Sequence, residues 1–393
     1  MRETRSSVGA PRMGLVLSGG AARGAYQAGV LRFLYRSLPK NLGFVPWPAV
    51  VSGTSVGALN GTFVVSRSEA QIVLLSRLWR RLRIPDVFTL QYGDVLGALR
   101  GRHRGHSGAA LLDPSPLVRL VHDQFPQTDV RRSIDSGAVR AFIVSATELN
   151  NGHNVLFVDS AADDLGLLPL ARSRVERTPI GPQEVLASAA LPFMFPPVTL
   201  RGRGYVDGGL RQNTPLRPVL HSGVDRVLVV GSHMASETGP APQTEVVPSL
   251  AFLAGKTLNA LMADPVDRDL AQAERLNAVV AWGTARYGPE FAEGVARDLD
   301  LRAVSILTVR PSQDLGRIAA KAYKDSPPAD APNLRWLLSA LADRQNAEGG
   351  ESDLLSYLYF DRAFTEQLED LGYQDAEAQQ EQLAAHFLGE AAR

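Results

Sequence analysis

Three short glycine-rich strings carry the residue types that acyl transfer needs: Ser18-Gly-Gly-Ala-Ala-Arg-Gly24, Gly53-Thr-Ser-Val-Gly57 and Asp207-Gly-Gly209. The middle string fits the G-x-S-x-G nucleophile elbow, in which Gly53 and Gly57 let the backbone take a sharp strand-to-helix turn that exposes the Ser55 hydroxyl. Ser55 is the candidate nucleophile. The first string reads as an oxyanion cradle. Gly19, Gly20, Ala21, Arg23 and Gly24 follow a short apolar strand and precede a helix, so their N–H groups and the helix dipole face any anion seated there. The Arg23 charge serves either to orient the loop or to meet a phosphate.

A serine nucleophile needs a proton acceptor, and Asp207, backed by Gly208 and Gly209, is the candidate base. A carboxyl pKa of about 3.9 makes aspartate a feeble base in water, so this one must be sheltered. Histidine is the usual partner, and the chain has seven. A Ser-Asp-His order completed by His221 or His233 therefore stays open, although neither lies in a motif that positions it. Blander readings exist for each string: a serine that caps a helix, and a common Asp-Gly turn. A dinucleotide loop fits worse. Ala21 fills the second glycine position of G-x-G-x-x-G, and no Asp or Glu stands between Glu3 and Glu69 to hold a ribose.

The elements that must position these strings alternate. Met13 to Leu17 reads as a strand and Ala25 to Leu38 as a helix, with Val30, Leu31, Leu34 and Leu38 at helical spacing. Val45 to Val51 reads as the strand before the elbow and Val56 to Val65 as the buried helix after it. Ala141 to Ser145 and Asn154 to Val158 are strand-like segments around the Asn150-Asn-Gly152 turn signal, and Gly202 to Val206 is a hairpin-like return into Asp207. Further strands are expected at Arg226 to Val230 and Val304 to Val309, with helices at Ser249 to Asn277 and Pro289 to Leu299. His103 to Gly108 and Ser232 to Val247 read as mobile loops. After Pro311 the pattern turns helical and acidic, with apolar stripes at Leu354, Leu355, Leu358 and Tyr359 and at Phe364, Leu368 and Leu371. The expected fold is a three-layer α/β/α sandwich with a central, mainly parallel sheet and a C-terminal helical extension.

With 393 residues and 45% hydrophobic content the chain can bury a large core. The absence of cysteine excludes thiol catalysis and a disulfide scaffold. No signal peptide or membrane span is read, so the expected location is cytoplasmic and peripheral at the membrane. Charge is uneven: residues 1–110 hold 15 Lys and Arg against 4 Asp and Glu. Arg77, Arg80, Arg81 and Arg83, with the basic run from Arg100 to His106, suggest a face toward anionic lipid. Nucleic acid is not expected, because the aromatic interleaving of a single-strand binder is missing.

Four blocks, Leu17 to Leu31, Gly53 to Asn60, Ala187 to Pro192 with Phe195 to Val198, and Asp207 to Gly209, resemble in order those of the patatin-like phospholipase family. The resemblance spans residues 13–231. It implies a serine lipid acyl hydrolase with a Ser-Asp dyad, in which Ser55 is nucleophile, Asp207 base, and Gly19, Gly20, Arg23 and Gly24 oxyanion-loop positions. Ala21 departs from the family, standing where many members have a third glycine. A phospholipid or other acyl-lipid substrate is implied, with no metal or organic cofactor. A catalytically silent lipid-binding or regulatory module on the same fold is the rival expectation. The expected organisation is a basic tail over 1–12, a hydrolase domain over 13–311 and a helical extension over 312–393.

Overall fold

Strands β1 (Met13–Leu17) and β2 (Val50–Thr54) are each buried at all five positions, the signature of strands covered on both faces of a parallel sheet. The computed structural model describes residues 12–90, 112–162, 172–234, 266–299, 301–328 and 353–389, with residues 110, 165, 334, 338 and 339. The strands continue as β3 (Thr89–Leu90), β4 (Leu112–Asp113), β5 (Ala141–Glu148), β6 (Asn154–Asp159), β7 (Ser173–Arg177), β8 (Val198–Leu200), β9 (Arg203–Asp207), β10 (Arg226–Val230) and β11 (Ser305–Val309). The main sheet runs β11-β10-β1-β2-β5-β6-β7, with the β8–β9 hairpin attached to β5. Neighbours from β11 to β5 are parallel, whereas β6 and β9 pair antiparallel with β5. The chain leaves β1 toward β2 on one side and returns to β10 on the other. The crevice beyond the carboxyl ends of these strands is thus where an open α/β sheet binds ligands.

The helices that bear on the site are α1 (Gly24–Arg32), α2 (Val56–Val65), α3 (Glu69–Arg81), α4 (Ser115–Gln124), α5 (Gln127–Asp135), α6 (Pro182–Ser188), α7 (Leu216–Leu220), α8 (Val266–Tyr287), α9 (Pro289–Asp298), α10 (Asp353–Leu358) and α11 (Arg362–Ala378). Strand parity divides the core into two layers. Leu15, Leu17, Val51, Phe142, Val144, Leu228 and Val230 pack with α1, α2, α3 and α11. Val16, Val50, Ile143, Val227 and Val229 pack with α7 and α8 on the opposite face. Helices therefore cover both sides of a mostly parallel sheet, as the alternating pattern implies.

Helix α11 buries Phe364, Leu368 and Leu371, the stripe read from sequence. It crosses α1 so closely that a methyl group at Gly29 would overlap the Glu369 carbonyl, and one at Gly372 the Tyr26 carbonyl. Beside this crossing the buried Glu369 accepts from Arg32 Nε (2.6 Å), Arg80 Nη1 (2.8 Å) and Ser76 Oγ (2.6 Å). Arg80 also reaches Glu366 and Asp370, each at 2.6 Å. The expectation that Arg80 faces lipid is corrected: its charge is spent on the acidic C-terminal helix.

Other expectations shift at their edges. The strand expected over Val45 to Val51 begins only at Val50 and runs on to Thr54, because Pro46 and Pro48 have no N–H for the ladder and the Trp47 N–H turns to the Val45 carbonyl (2.9 Å). Within the helix expected at Ser249 to Asn277, residues 249–265 lie outside the described residues; the remainder continues to Tyr287, where Gly288 ends it. Of the loop read from Ser232 to Val247, the start is anchored: Ser232 is buried and its hydroxyl donates to the Gly19 carbonyl (2.7 Å). Residues 235–247, the loop at His103 to Gly108, the basic run from Arg100 to His106 and residues 1–11 lie outside the described residues.

Candidate active site

Ser55 sits between the end of β2 and the first turn of α2, with φ +55° and ψ −125°. A non-glycine residue held there costs on the order of 1–3 kcal/mol and persists only when its surroundings fix it. Two features do so. The Ser55 N–H donates to Ser188 Oγ (2.7 Å), which donates in turn to the Ser145 carbonyl (2.6 Å). Gly57 lies against β1 so tightly that a methyl group would overlap the Leu17 carbonyl, and one at Gly53 would run into the backbone of Gly57. Sequence reading included Ser188 in a quoted block without giving it a role.

The loop after β1 lies over Ser55: a methyl group at Gly19 would come 3.4 Å from Ser55 Cβ. Among the loop's amides, Gly19 N–H donates to the Asn213 carbonyl (2.9 Å) and Arg23 N–H to the Gly20 carbonyl (3.0 Å). The Gly24 N–H turns to the Ala21 and Ala22 carbonyls. Of the expected oxyanion-loop positions, Gly19 thus has its amide committed to Asn213, and Arg23 and Gly24 have theirs committed within the loop. Gly20 and Ala21 donate to no backbone carbonyl among the described residues. Ala21 takes φ +49°, the left-handed conformation its glycine counterpart would adopt freely.

A buried polar chain braces the loop from behind. Trp79 Nε1 donates to Asn60 Oδ1 (3.0 Å), Asn60 Nδ2 to Gln27 Oε1 (3.0 Å) and the Gly24 carbonyl (3.0 Å), and Gln27 Nε2 to the Ser18 carbonyl (2.7 Å). The Arg23 side chain is buried, its Nε donating to Ser356 Oγ (2.9 Å) and its guanidinium 4.1 Å from the Tyr357 ring centre. Of the two roles read for Arg23, this placement matches orienting the loop. Gln27 and Asn60 stood in the Leu17 to Leu31 and Gly53 to Asn60 blocks without a role, whereas Asn213, Ser356 and Tyr357 carried no motif and escaped sequence reading.

Asp207 ends β9 and is fully buried. Thr147 Oγ1 donates to its carbonyl (3.0 Å), and the Gly209 N–H to its Oδ1 (2.7 Å). Ser55 is the side chain that meets the carboxyl, while Oδ2 has no partner of full hydrogen-bond geometry, as catalytic contacts often lack before substrate binds. Burial pushes the Asp207 pKa up to about 6 from 3.8, against the weaker downward pull of Ser55 and Gly209. Among the described residues no cation or imidazole acts on it. His233 Nε2 instead shares a hydrogen bond with the Tyr357 hydroxyl (2.8 Å), and His221 caps the end of α7.

A pocket with about 100 Å³ of free space opens from Ser55 between α2, α3 and α4. Leu59, Phe63, Trp79, Leu120, Phe195 and Phe360 make its walls apolar. Such a cleft suits an apolar group beside Ser55. Among the described residues no three His, Asp or Glu gather as metal ligands would.

A model of the patatin-like phospholipase family matches residues 15–220, just over half the chain. The lysophospholipase NTE1 of Cryptococcus neoformans var. neoformans serotype D is 25% identical over 232 residues, which are 58% of this chain and 12% of that protein. The chain therefore spans a small part of its relative. Among solved structures, human GIVD cytosolic phospholipase A2 in complex with methyl gamma-linolenyl fluorophosphonate is 13% identical, with a TM-score of 0.41 over 96% of this chain and 58% of that one. VipD from Legionella pneumophila is 14% identical, with a TM-score of 0.34 over 92% of this chain and 67% of that one.

Proposed function

Because the chain belongs to the patatin-like phospholipase family, we propose that it hydrolyses fatty-acyl esters of phospholipids or lysophospholipids through a Ser55–Asp207 dyad. The observation that carries this reading is a fully buried aspartate, lifted to about 6 with no cation beside it among the described residues, meeting a serine in a strained elbow. Ser55 Oγ attacks the acyl carbonyl as its proton passes to Asp207. The tetrahedral oxygen takes the charge and accepts from the Gly20 and Ala21 N–H groups, helped by the positive end of α2. Collapse breaks the ester bond, and the departing alcohol oxygen takes the proton from Asp207. Water then attacks the acyl-enzyme, gives a proton to Asp207, and releases the fatty acid as that proton returns to Ser55.

The apolar pocket receives the acyl chain, and the head group stays outside. Residues 13–311 would form the hydrolase domain and 312–393 an extension whose described helices α10 and α11 steady α1 and, through Ser356, Arg23. A cytoplasmic enzyme visiting the bilayer fits the reading, since no helix among the described residues is long and apolar enough to cross a membrane. Fatty-acid release from a panel of phospholipids and lysophospholipids tests the proposal. Wild-type protein should release acid that Ser55→Ala does not; equal release by both would overturn the assignment.

A further inference from the structure

The basic cluster of α3 divides into two kinds of arginine. Arg80 is locked into the Glu366, Glu369 and Asp370 cluster. Arg77 and Arg81, four residues apart and exposed, line a different flank of the helix, and neither makes an ion pair or hydrogen bond among the described residues. They line a surface groove of about 570 Å³ with Arg119 of α4, which is likewise exposed and unpaired. The floor is apolar, formed by Leu74, Leu78, Leu82, Leu120, Pro85 and Pro116. The one carboxylate in it, Asp86, accepts from the Arg83 N–H (2.9 Å) and closes the short turn after α3.

Three unpaired cations above an apolar floor complement an amphiphile with an anionic head. The position is informative too. Leu78, Leu82 and Leu120 form both the groove's floor and the wall of the pocket that opens from Ser55. We infer that this groove is a docking site for an anionic phospholipid surface, holding headgroups at Arg77, Arg81 and Arg119 one side-chain layer from the acyl pocket. A bilayer seated there has its ester carbonyls beside the catalytic cleft. The inference rests on the lipid-hydrolase reading only for the identity of the surface.

Flotation with vesicles of phosphatidylcholine alone, and of phosphatidylcholine and phosphatidylserine in equal parts, tests it with the full chain. Each arginine near an anionic surface contributes about 1 kcal/mol, so Arg77→Gln, Arg81→Gln and Arg119→Gln together should weaken binding to the mixed vesicles on the order of 100-fold. Wild-type binding should fall as salt rises. A charge-matched control, Arg275→Gln, Arg286→Gln and Arg297→Gln on the exposed faces of α8 and α9, should bind as wild type does. Equal binding to phosphatidylcholine alone, or equal losses in the two triple variants, would overturn the docking site. Hydrolysis of soluble p-nitrophenyl butyrate on the same samples keeps the two readings apart. The groove variant should retain it; a wild type that binds mixed vesicles selectively but hydrolyses no ester would refute the hydrolase reading and uphold the groove.

Discussion

Two carboxylates in this protein are equally buried and differently partnered. Glu369 and Asp207 each expose none of their surface. Glu369 meets two guanidinium groups and a hydroxyl, which consume its charge in clamping α11 to α1 and α3. Asp207 meets one amide and Ser55, and burial lifts it to about 6. Desolvation is common to both; the partners decide whether the carboxylate becomes a clasp or a base. An aspartate left short of partners costs stability at neutral pH, and in return it can take a proton.

The sharpest way to break this contrast is to remove the reacting groups. Ser55→Ala and Asp207→Asn should each lower kcat by about 10⁴-fold or more, with far-UV circular dichroism unchanged, since both keep the local shape. Activity near wild type in Asp207→Asn would transfer the role of base elsewhere.

Stability should then move in opposite directions at the two carboxylates. Glu369→Ala leaves Arg32 and Arg80 facing a hole, and chemical denaturation should show a loss of about 3 kcal/mol, the low end for a broken buried pair because both arginines are partly exposed. Asp207→Asn should stabilise. The folded pKa of Asp207, about 6, lies above 3.8, so the native state holds the proton more tightly than the unfolded chain. Stability contributed by the protonated form is complete below about 4 and is lost as pH rises to about 6. Above that, replacing the carboxylate by an amide should recover about 2–3 kcal/mol in denaturation at pH 8, and nothing at pH 3.5.

The smallest effect sharpens the contrast within one protein. As Asp207 takes up its proton, kcat/KM for a soluble ester should fall about tenfold per pH unit below about 6. Glu369→Gln, if folded, should keep the same profile.

The legible parts of this molecule were those whose physics is local. Apolar runs at Met13 to Leu17 and Arg226 to Val230, the Gly53 and Gly57 spacing, and the Phe364, Leu368 and Leu371 stripe write their structure into neighbouring residues. Strand β7, Ser-Arg-Val-Glu-Arg, does not, because polar residues on a strand near the sheet's end mask its alternation. The helices α4 and α5 also passed unread, their buried positions being few. At the site, the serine, the aspartate and the glycines stood in motifs. Of the residues that hold them, Ser188, Gln27 and Asn60 stood in the same blocks without a role, and others stood in none. Asn213 meets Gly19 across 194 positions and Ser356 meets Arg23 across 333, and no spacing rule reaches that far. The sorting of the arginines was equally hidden, since Arg77, Arg80 and Arg81 differ only in the helix face they occupy.

The most direct measurement is the rate at which a lipid-like fluorophosphonate modifies the protein, followed by peptide mass spectrometry to locate the adduct. It needs no knowledge of the natural substrate, because the reagent reports only an activated serine in an oxyanion site. The dyad predicts one adduct, on Ser55, at a rate that falls below pH 6 and nearly vanishes in Asp207→Asn. An adduct on another serine, or undiminished labelling of Ser55 in Asp207→Asn, would contradict it.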